Sequence, residues 1–205
     1  MKNSEKRFER LADASSIKKT FQSLEHAWIH PHLVANKQEA IEIVLELIPR
    51  HSEVMTMTSV SLGELGLDKR LNDWKDYISI RWRLWDKKLD EVSKRRLGSA
   101  QDWAIWSVHA VTEDWKLIIA SATWSQLPAY AYWASNVIYV ISTKKIVKDL
   151  SDWLERIYEH VFPQENERAM KAYWMWSWVN KLLIINKEVV PWRIHAVFVK
   201  ENLWF

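Results

Sequence analysis

Three short segments concentrate the side chains able to do chemistry. The first, Thr58-Ser59-Val60-Ser61-Leu62-Gly63-Glu64, follows a strand-like run and opens a helical pattern. Ser61 with Glu64 three residues on spells a capping box. Ser59 and Ser61 beside exposed backbone N–H groups also suit a phosphate or carboxylate, and with Glu64 they are candidate ligand-binding residues. The second segment is Ser121-Ala122-Thr123-Trp124-Ser125-Gln126-Leu127-Pro128, a small polar loop leading into a helix. Ser121, Thr123, Ser125 and Gln126 would bring hydroxyl, amide and backbone donors onto one anion; an N-cap by Ser125 is the plainer alternative. The third sets Glu113 and Asp114 against Lys145. Opposed carboxylates and an ammonium group do acid/base work or bind a carboxylate substrate, whereas turn carboxylates by themselves are ordinarily solvated. All three segments fall at expected strand ends, where open α/β sheets bind ligands.

Other chemistries are excluded or unsupported. The chain has no cysteine, hence no disulfide, no thiolate metal site, no iron–sulfur cluster and no cysteine nucleophile. No cofactor is expected in it. Its seven histidines are scattered, and His30-Pro31-His32 is the one close pair. Alternate strand residues share a face, but no ligand-rich segment accompanies the pair, so no metal site is expected. No phosphate-binding loop, dinucleotide glycine fingerprint or HExxH occurs,. Lys and Arg number 29 against 26 Asp and Glu, a net +3, with the two signs interleaved, which argues against a nucleic-acid partner. The first residues are charged, without the apolar core of a secretory signal,. No run of about 18 apolar residues is present to span a membrane. The cytoplasm is the expected compartment, and a small anionic metabolite the expected partner.

The elements that must position these residues follow from periodicity. Helical patterns cover 5–26, 37–47, a stretch from Ser61, 86–97, 125–133, 148–161 and 163–173,. Strand-like runs cover 29–35, 53–58, 136–142, 181–186 and 193–200, and 107–112 pairs with 116–121 as a hairpin,. Strands alternating with helices predict one domain over residues 1–205, a three-layer α/β/α sandwich around a mixed sheet.

The glycine and tryptophan counts conflict with such a fold. There are three glycines and 15 tryptophans, where an ordinary chain of this length carries roughly fourteen glycines. Several tryptophans stand where glycine belongs. Asp114-Trp115 sits between two strands, where a type I′ turn wants Asp-Gly. Trp192 follows Pro191 in the place that needs positive φ in a type II turn. Trp28 and Trp74 follow helical patterns at the C′ position, where glycine closes the last turn. Some bacterial lineages read UGA as glycine while another code reads it as tryptophan, so the expectation is that most of these letters are misread glycines. An aromatic surface for stacking sugars or bases is the competing explanation.

The run Ser107-Val108-His109-Ala110-Val111-Thr112-Glu113-Asp114, with Ile119-Ala120-Ser121, Ser125-Gln126-Leu127-Pro128-Ala129-Tyr130-Ala131-Tyr132 and Lys145-Ile146-Val147-Lys148-Asp149-Leu150, resembles the LUD (lactate-utilization) domain family. The likeness continues through Glu167-Arg168-Ala169 and 179–186 to Leu203-Trp204-Phe205. Family members carry glycine where this chain has Trp106, Trp115, Trp124, Trp133, Trp174, Trp178, Trp192 and Trp204, whereas Trp85 and Trp103 resemble genuine tryptophans. Ser142 and Lys144 depart from the family's glycine and amide at those positions. The resemblance implies a NagB/RpiA/CoA-transferase-like sandwich and a link to oxidation of lactate to pyruvate beside iron–sulfur subunits. This chain is similar to the cluster-free subunit of such a complex. The alternative is a stand-alone enzyme acting on a phosphorylated or carboxylated metabolite.

Overall fold

A computed structural model describes residues 7–73, 75–123 and 125–204. In chain order the elements are α1 (Ala14–His26), β1 (Ile29–Val34), α2 (Lys37–Leu47), β2 (Glu53–Thr56), α3 (Val60–Glu64), α4 (Leu67–Leu71), β3 (Ile78–Ser79), α5 (Ile80–Arg83) and α6 (Glu91–Leu97). Then come β4 (Trp103–Trp106), β5 (Ala110–Thr112), β6 (Leu117–Ser121), a π-helical turn (Ala129–Trp133), β7 (Asn136–Ser142) and β8 (Ile146–Val147). Next, α7 (Leu150–Glu155) passes through a second π-helical stretch, Arg156–Val161, into α8 (Phe162–Tyr173); β9 (Lys181–Ile185) and β10 (Ile194–Val199) follow.

Six strands form a parallel sheet in the order β1-β10-β7-β4-β2-β3. Both faces are covered, which is why β7 reads as a nearly unbroken apolar run, buried from Val137 to Ser142,. One face packs on α2 through Ala40, Ile41 and Val44, with Leu62, Leu67 and Leu71 extending the layer. On the other face Tyr139, Ile141, Ala196 and Phe198 meet Leu24 of α1 and Val111, Leu117 and Ile119 of a second sheet.

That second sheet has four strands, β8-β5-β6-β9. The expected mixed sheet is therefore divided: the hairpin strands form a layer of their own. The α/β sandwich stands, and the division has a physical reason. Successive side chains alternate faces, so β5 and β6 send Val111, Leu117 and Ile119 to the large sheet. They send Ala110, Ile118 and Ala120 to Trp153, Ile157 and Val161 of the long C-terminal helix. A strand that packs face-on against the parallel sheet lies in a layer of its own and cannot also extend that sheet.

Helix boundaries differ from the sequence expectation where caps intervene. The first helix was expected over 5–26; residues 5 and 6 lie outside the described residues, and Asp13, which accepts a hydrogen bond from Ser16 N at 2.8 Å, starts α1 at Ala14,. The break expected before Pro163 is absent. The wider π turn ending at Val161 leaves room for the ring and its missing N–H,.

The turns bear directly on the tryptophans. Among the described residues, those other than glycine with positive φ are Trp28 (63°), His51 (67°), Trp115 (78°), Trp174 (57°) and Trp192 (65°). Trp192 sits between Pro191 and Arg193, whose N–H reaches Val190 O at 3.3 Å, the expected turn,. The Asp114-Trp115 turn is not type I′. Trp115 N donates to Thr112 O at 3.1 Å and Thr112 N to Lys116 O at 3.0 Å, a type I turn closed by one left-handed residue,. That form also favours glycine, at Trp115. Trp174 caps α8 in the left-handed region, a site the cap argument did not name,. Trp74 and Trp124 lie outside the described residues.

Trp174 is 86% exposed, so glycine there would relieve strain while surrendering little packing,. Trp174→Gly is expected to stabilise the fold by about 1 kcal/mol, seen as a higher urea midpoint, whereas Trp174→Ala leaves the midpoint where it is.

Candidate functional site

A cavity of about 420 Å³ opens where the chain leaves the C-terminal ends of the parallel strands. Segments after β2 (Met57 to Ser61), β4 (Trp106 to His109) and β7 (Lys145) form its floor, and Trp204, beyond β10, reaches its rim. The end of β6 and its loop add Ser121, Thr123, Ser125 and Gln126. The volume falls in the range of small-molecule sites.

Lys145 is the most deeply buried of the charged side chains that line the cavity. The residue is 2% exposed, and its Nζ donates to Ser107 Oγ at 3.0 Å and to Val108 O at 3.1 Å. Burial pushes this lysine well below the usual range, and the charges of Arg156 and Lys144 push the same way,. His109 lies against it. The Nδ1 of His109 accepts from Ala120 N at 3.1 Å, which leaves the ring proton on Nε2,. Burial, then Lys145 and Arg156, lower His109 to about 3, so the ring is neutral at physiological pH.

Behind this wall stands Arg156. Its side chain is fully buried, and among the described residues Nε, Nη1 and Nη2 have no hydrogen-bond partner. Burial lowers it only to about 10, so the charge persists. Lys144, also buried, is paired to Glu9 at 3.0 Å, and the same carboxylate lies 3.2 Å from His160 Nε2. The departure at Lys144 is thus absorbed by Glu9. Ser142 is accommodated too, donating to Glu201 O at 2.6 Å. The site is a positive pocket with few carboxylates of its own, suited to receiving an anion.

Of the residues singled out from the sequence, Ser59, Ser61, Lys145 and the Ser121–Gln126 polar group come together at this cavity. Thr123 and Ser125 share a hydrogen bond at 3.2 Å, and Gln126 Nε2 donates to Ser121 Oγ at 3.2 Å. The capping box is corrected: Ser59, not Ser61, caps α3, by accepting from Leu62 N. Ser61 is already inside the helix, directed at Trp204 O, and Glu64 accepts from Trp204 N. Glu64 therefore holds the C-terminal segment and does not line the cavity.

Glu113 and Asp114 do not oppose Lys145. Glu113 accepts from Ser16 Oγ at 2.7 Å and Lys19 Nζ at 2.8 Å on α1. Burial works against its charge, but those two bonds and the Lys19 charge prevail and hold it below the usual carboxylate range. Asp114 pairs with Lys116. The hairpin tip faces α1, so the acid/base pair expected from sequence is not assembled.

The sequence reading missed Ser107, His109 and Arg156 as functional residues. Arg156 carried a usable signal: it lies three residues after Trp153 and next to Ile157, on the buried stripe of the helix,.

A family model described as the LUD domain matches residues 17–197. The chain belongs to the LUD domain family. Among solved structures, this LUD domain is similar to a DUF162 family protein from Deinococcus radiodurans, with a TM-score of 0.57 and 11% identity over 93% of this chain and 99% of that one. At that identity the likeness speaks for the fold alone. A further match, to eIF2B beta from Chaetomium thermophilum, has a TM-score of 0.39 and 14% identity over 57% of this chain and 44% of that one, too low to carry an argument. No curated protein matches the chain. No helix among the described residues is long and apolar enough to cross a membrane.

The neutral histidines set an acid limit for this LUD domain. His109 lies at about 3 and His160, His32 and His195 at about 4, below the value of about 6.5 in an unfolded chain. Between those values the unfolded state binds more protons, so stability falls as pH drops from about 6.5 to 4.5. In urea titrations His109→Gln, which keeps an acceptor for Ala120 N, should remove roughly 1 kcal/mol per pH unit of that slope; an unchanged slope would contradict the assignment.

Proposed function

We propose that this LUD domain binds a small carboxylate-bearing metabolite of the lactate and pyruvate class in the cavity around Lys145. It would serve as the cluster-free subunit of a lactate-oxidising system. The observation that carries the reading is a buried lysine amine whose hydrogen bonds among the described residues go to a hydroxyl and a carbonyl, near a guanidinium that lacks a hydrogen-bond partner among those residues. An anion entering this pocket supplies the missing negative charge and raises Lys145 back toward its protonated state. Hydroxyls of Ser59, Ser107 and Ser121 offer donors for the remaining carboxylate and hydroxyl oxygens,.

The chain provides binding and orientation. Oxidation of a 2-hydroxy acid removes two electrons and two protons, and a chain without cysteine has no thiolate set for an iron–sulfur acceptor,. The electrons are therefore assigned to a partner subunit bearing such a cluster. The competing reading, a stand-alone enzyme with Glu113 or Asp114 as acid/base groups, loses support because both carboxylates are engaged elsewhere.

Calorimetric titration with lactate, pyruvate and a sugar phosphate tests the proposal. The carboxylates should bind with proton uptake, and Lys145→Met should weaken them by about tenfold or more. The same variant should fold with equal or higher stability, since it replaces a buried polar group by an apolar one. Undiminished binding by a folded Lys145→Met protein would overturn the assignment, and preference for the phosphate would favour the stand-alone enzyme.

We also infer that the suspect tryptophans are UGA codons read as glycine in the source organism. Four left-handed tryptophans support this, as do Trp106, Trp178 and Trp204 around the cavity, where bulk narrows the entrance. Tryptic peptides from the native protein, compared with the gene, check it: glycine at Trp115 and Trp192 opposite UGA is expected, and UGG codons there end the idea.

A further inference from the structure

At the opposite end of the parallel strands from the cavity, three imidazoles meet. His30 and His32 project from the same face of β1, and β10, paired to it in register His30↔His195, brings His195 alongside. One ring nitrogen from each lies within 4.8 Å of the other two. His32 Nε2 and His195 Nδ1 are 3.2 Å apart, and the His30 and His32 ring centroids are separated by 4.3 Å. Among the described residues, no other trio of histidine and carboxylate ligands converges this way.

We propose that His30, His32 and His195 form a three-imidazole site for a divalent transition-metal ion, zinc foremost. Tetrahedral coordination at the usual zinc–nitrogen distance puts ligand nitrogens about 3.3–3.4 Å apart. The His32–His195 pair already meets that spacing, so the adjustment falls on exposed His30, which is free to change rotamer without disturbing the core. Imidazole nitrogen suits zinc, copper and nickel over calcium or magnesium.

The backbone positions are fixed before any metal arrives. Both strands are pinned by the parallel ladder, and Trp103 packs at 6.0 Å behind His195 while Trp192 flanks His30 at 5.2 Å. With three protein ligands, the fourth position stays open toward solvent at His30, as in zinc sites that keep a water or take a substrate atom. The ion would also tie edge strand β1 to its neighbour. Nothing in this site depends on the carboxylate cavity.

The test uses the full chain without an affinity tag, stripped with a chelator. Zinc is titrated by calorimetry and cobalt by visible absorption. One ion per chain, intense tetrahedral cobalt bands and a rise in melting temperature with zinc are expected. His30→Gln, at an exposed position that should not affect folding, and His195→Gln should each weaken binding by more than about tenfold. Absence of saturable binding at one equivalent, or binding that His30→Gln leaves intact, would overturn the proposal.

Discussion

The position of β10 governs the rest of the molecule. It is the last strand in the chain, yet it lies between β1 and β7, hydrogen-bonded in parallel to both. No hairpin can deliver a strand there, so the sheet is complete only when this late segment has inserted next to edge strand β1,. Ile194, Ala196 and Phe198 then fill one face and Val197 and Val199 the other. Beyond Val199 the chain must run across the strand ends: Ser142 donates to Glu201 O, and Trp204 reaches Ser61 and Glu64. The rim of the cavity is a consequence of this closure, and so is the meeting of His195 with β1.

Around the cavity, charge is buried without its full complement. Lys144, Lys145 and Arg156 are almost entirely inaccessible, and Glu9 answers Lys144 and faces His160. A buried cation lacking partners costs stability that an apolar residue would not. Of these three, Lys145 lines the cavity, so part of that cost falls on its wall. By contrast, Arg193 and Glu188, equally buried, satisfy each other at 2.7 Å, and the guanidinium also reaches Tyr130 O and Ala134 O. That pair braces the turn before β10. Two buried arginines of one chain thus have opposite standing, decided by whether the fold gives them acceptors.

Much of this was legible in the residues. The loops at 58–61 and 121–126 announced themselves by small polar side chains between apolar runs, and both border the cavity. Positive φ at Trp115 and Trp192 followed from their neighbours alone, because a turn's dihedrals are set within a few residues,. The capping box misled because Ser59 and Ser61 are chemically equivalent caps. The choice between them depends on where β2 ends and on the pull of Trp204, neither of which the local pattern encodes. Glu113 with Lys145 misled for a related reason: sequence places both at strand ends but does not say which way a hairpin tip faces.

The sequence by itself determined what depends on near neighbours: the helices and strands, the left-handed turns, the hydroxyl-rich loops and the lack of any thiolate ligand. Tertiary structure decided everything that depends on strand order. It divided the strands between two sheets, turned Glu113 toward α1, brought the charge of Arg156 to bear on Lys145, and set His32 beside a histidine 163 residues away. Apolar runs specify burial but not which run lies next to which. That order emerges only when all of them compete for the same core, and the chemistry of both sites is built on its outcome.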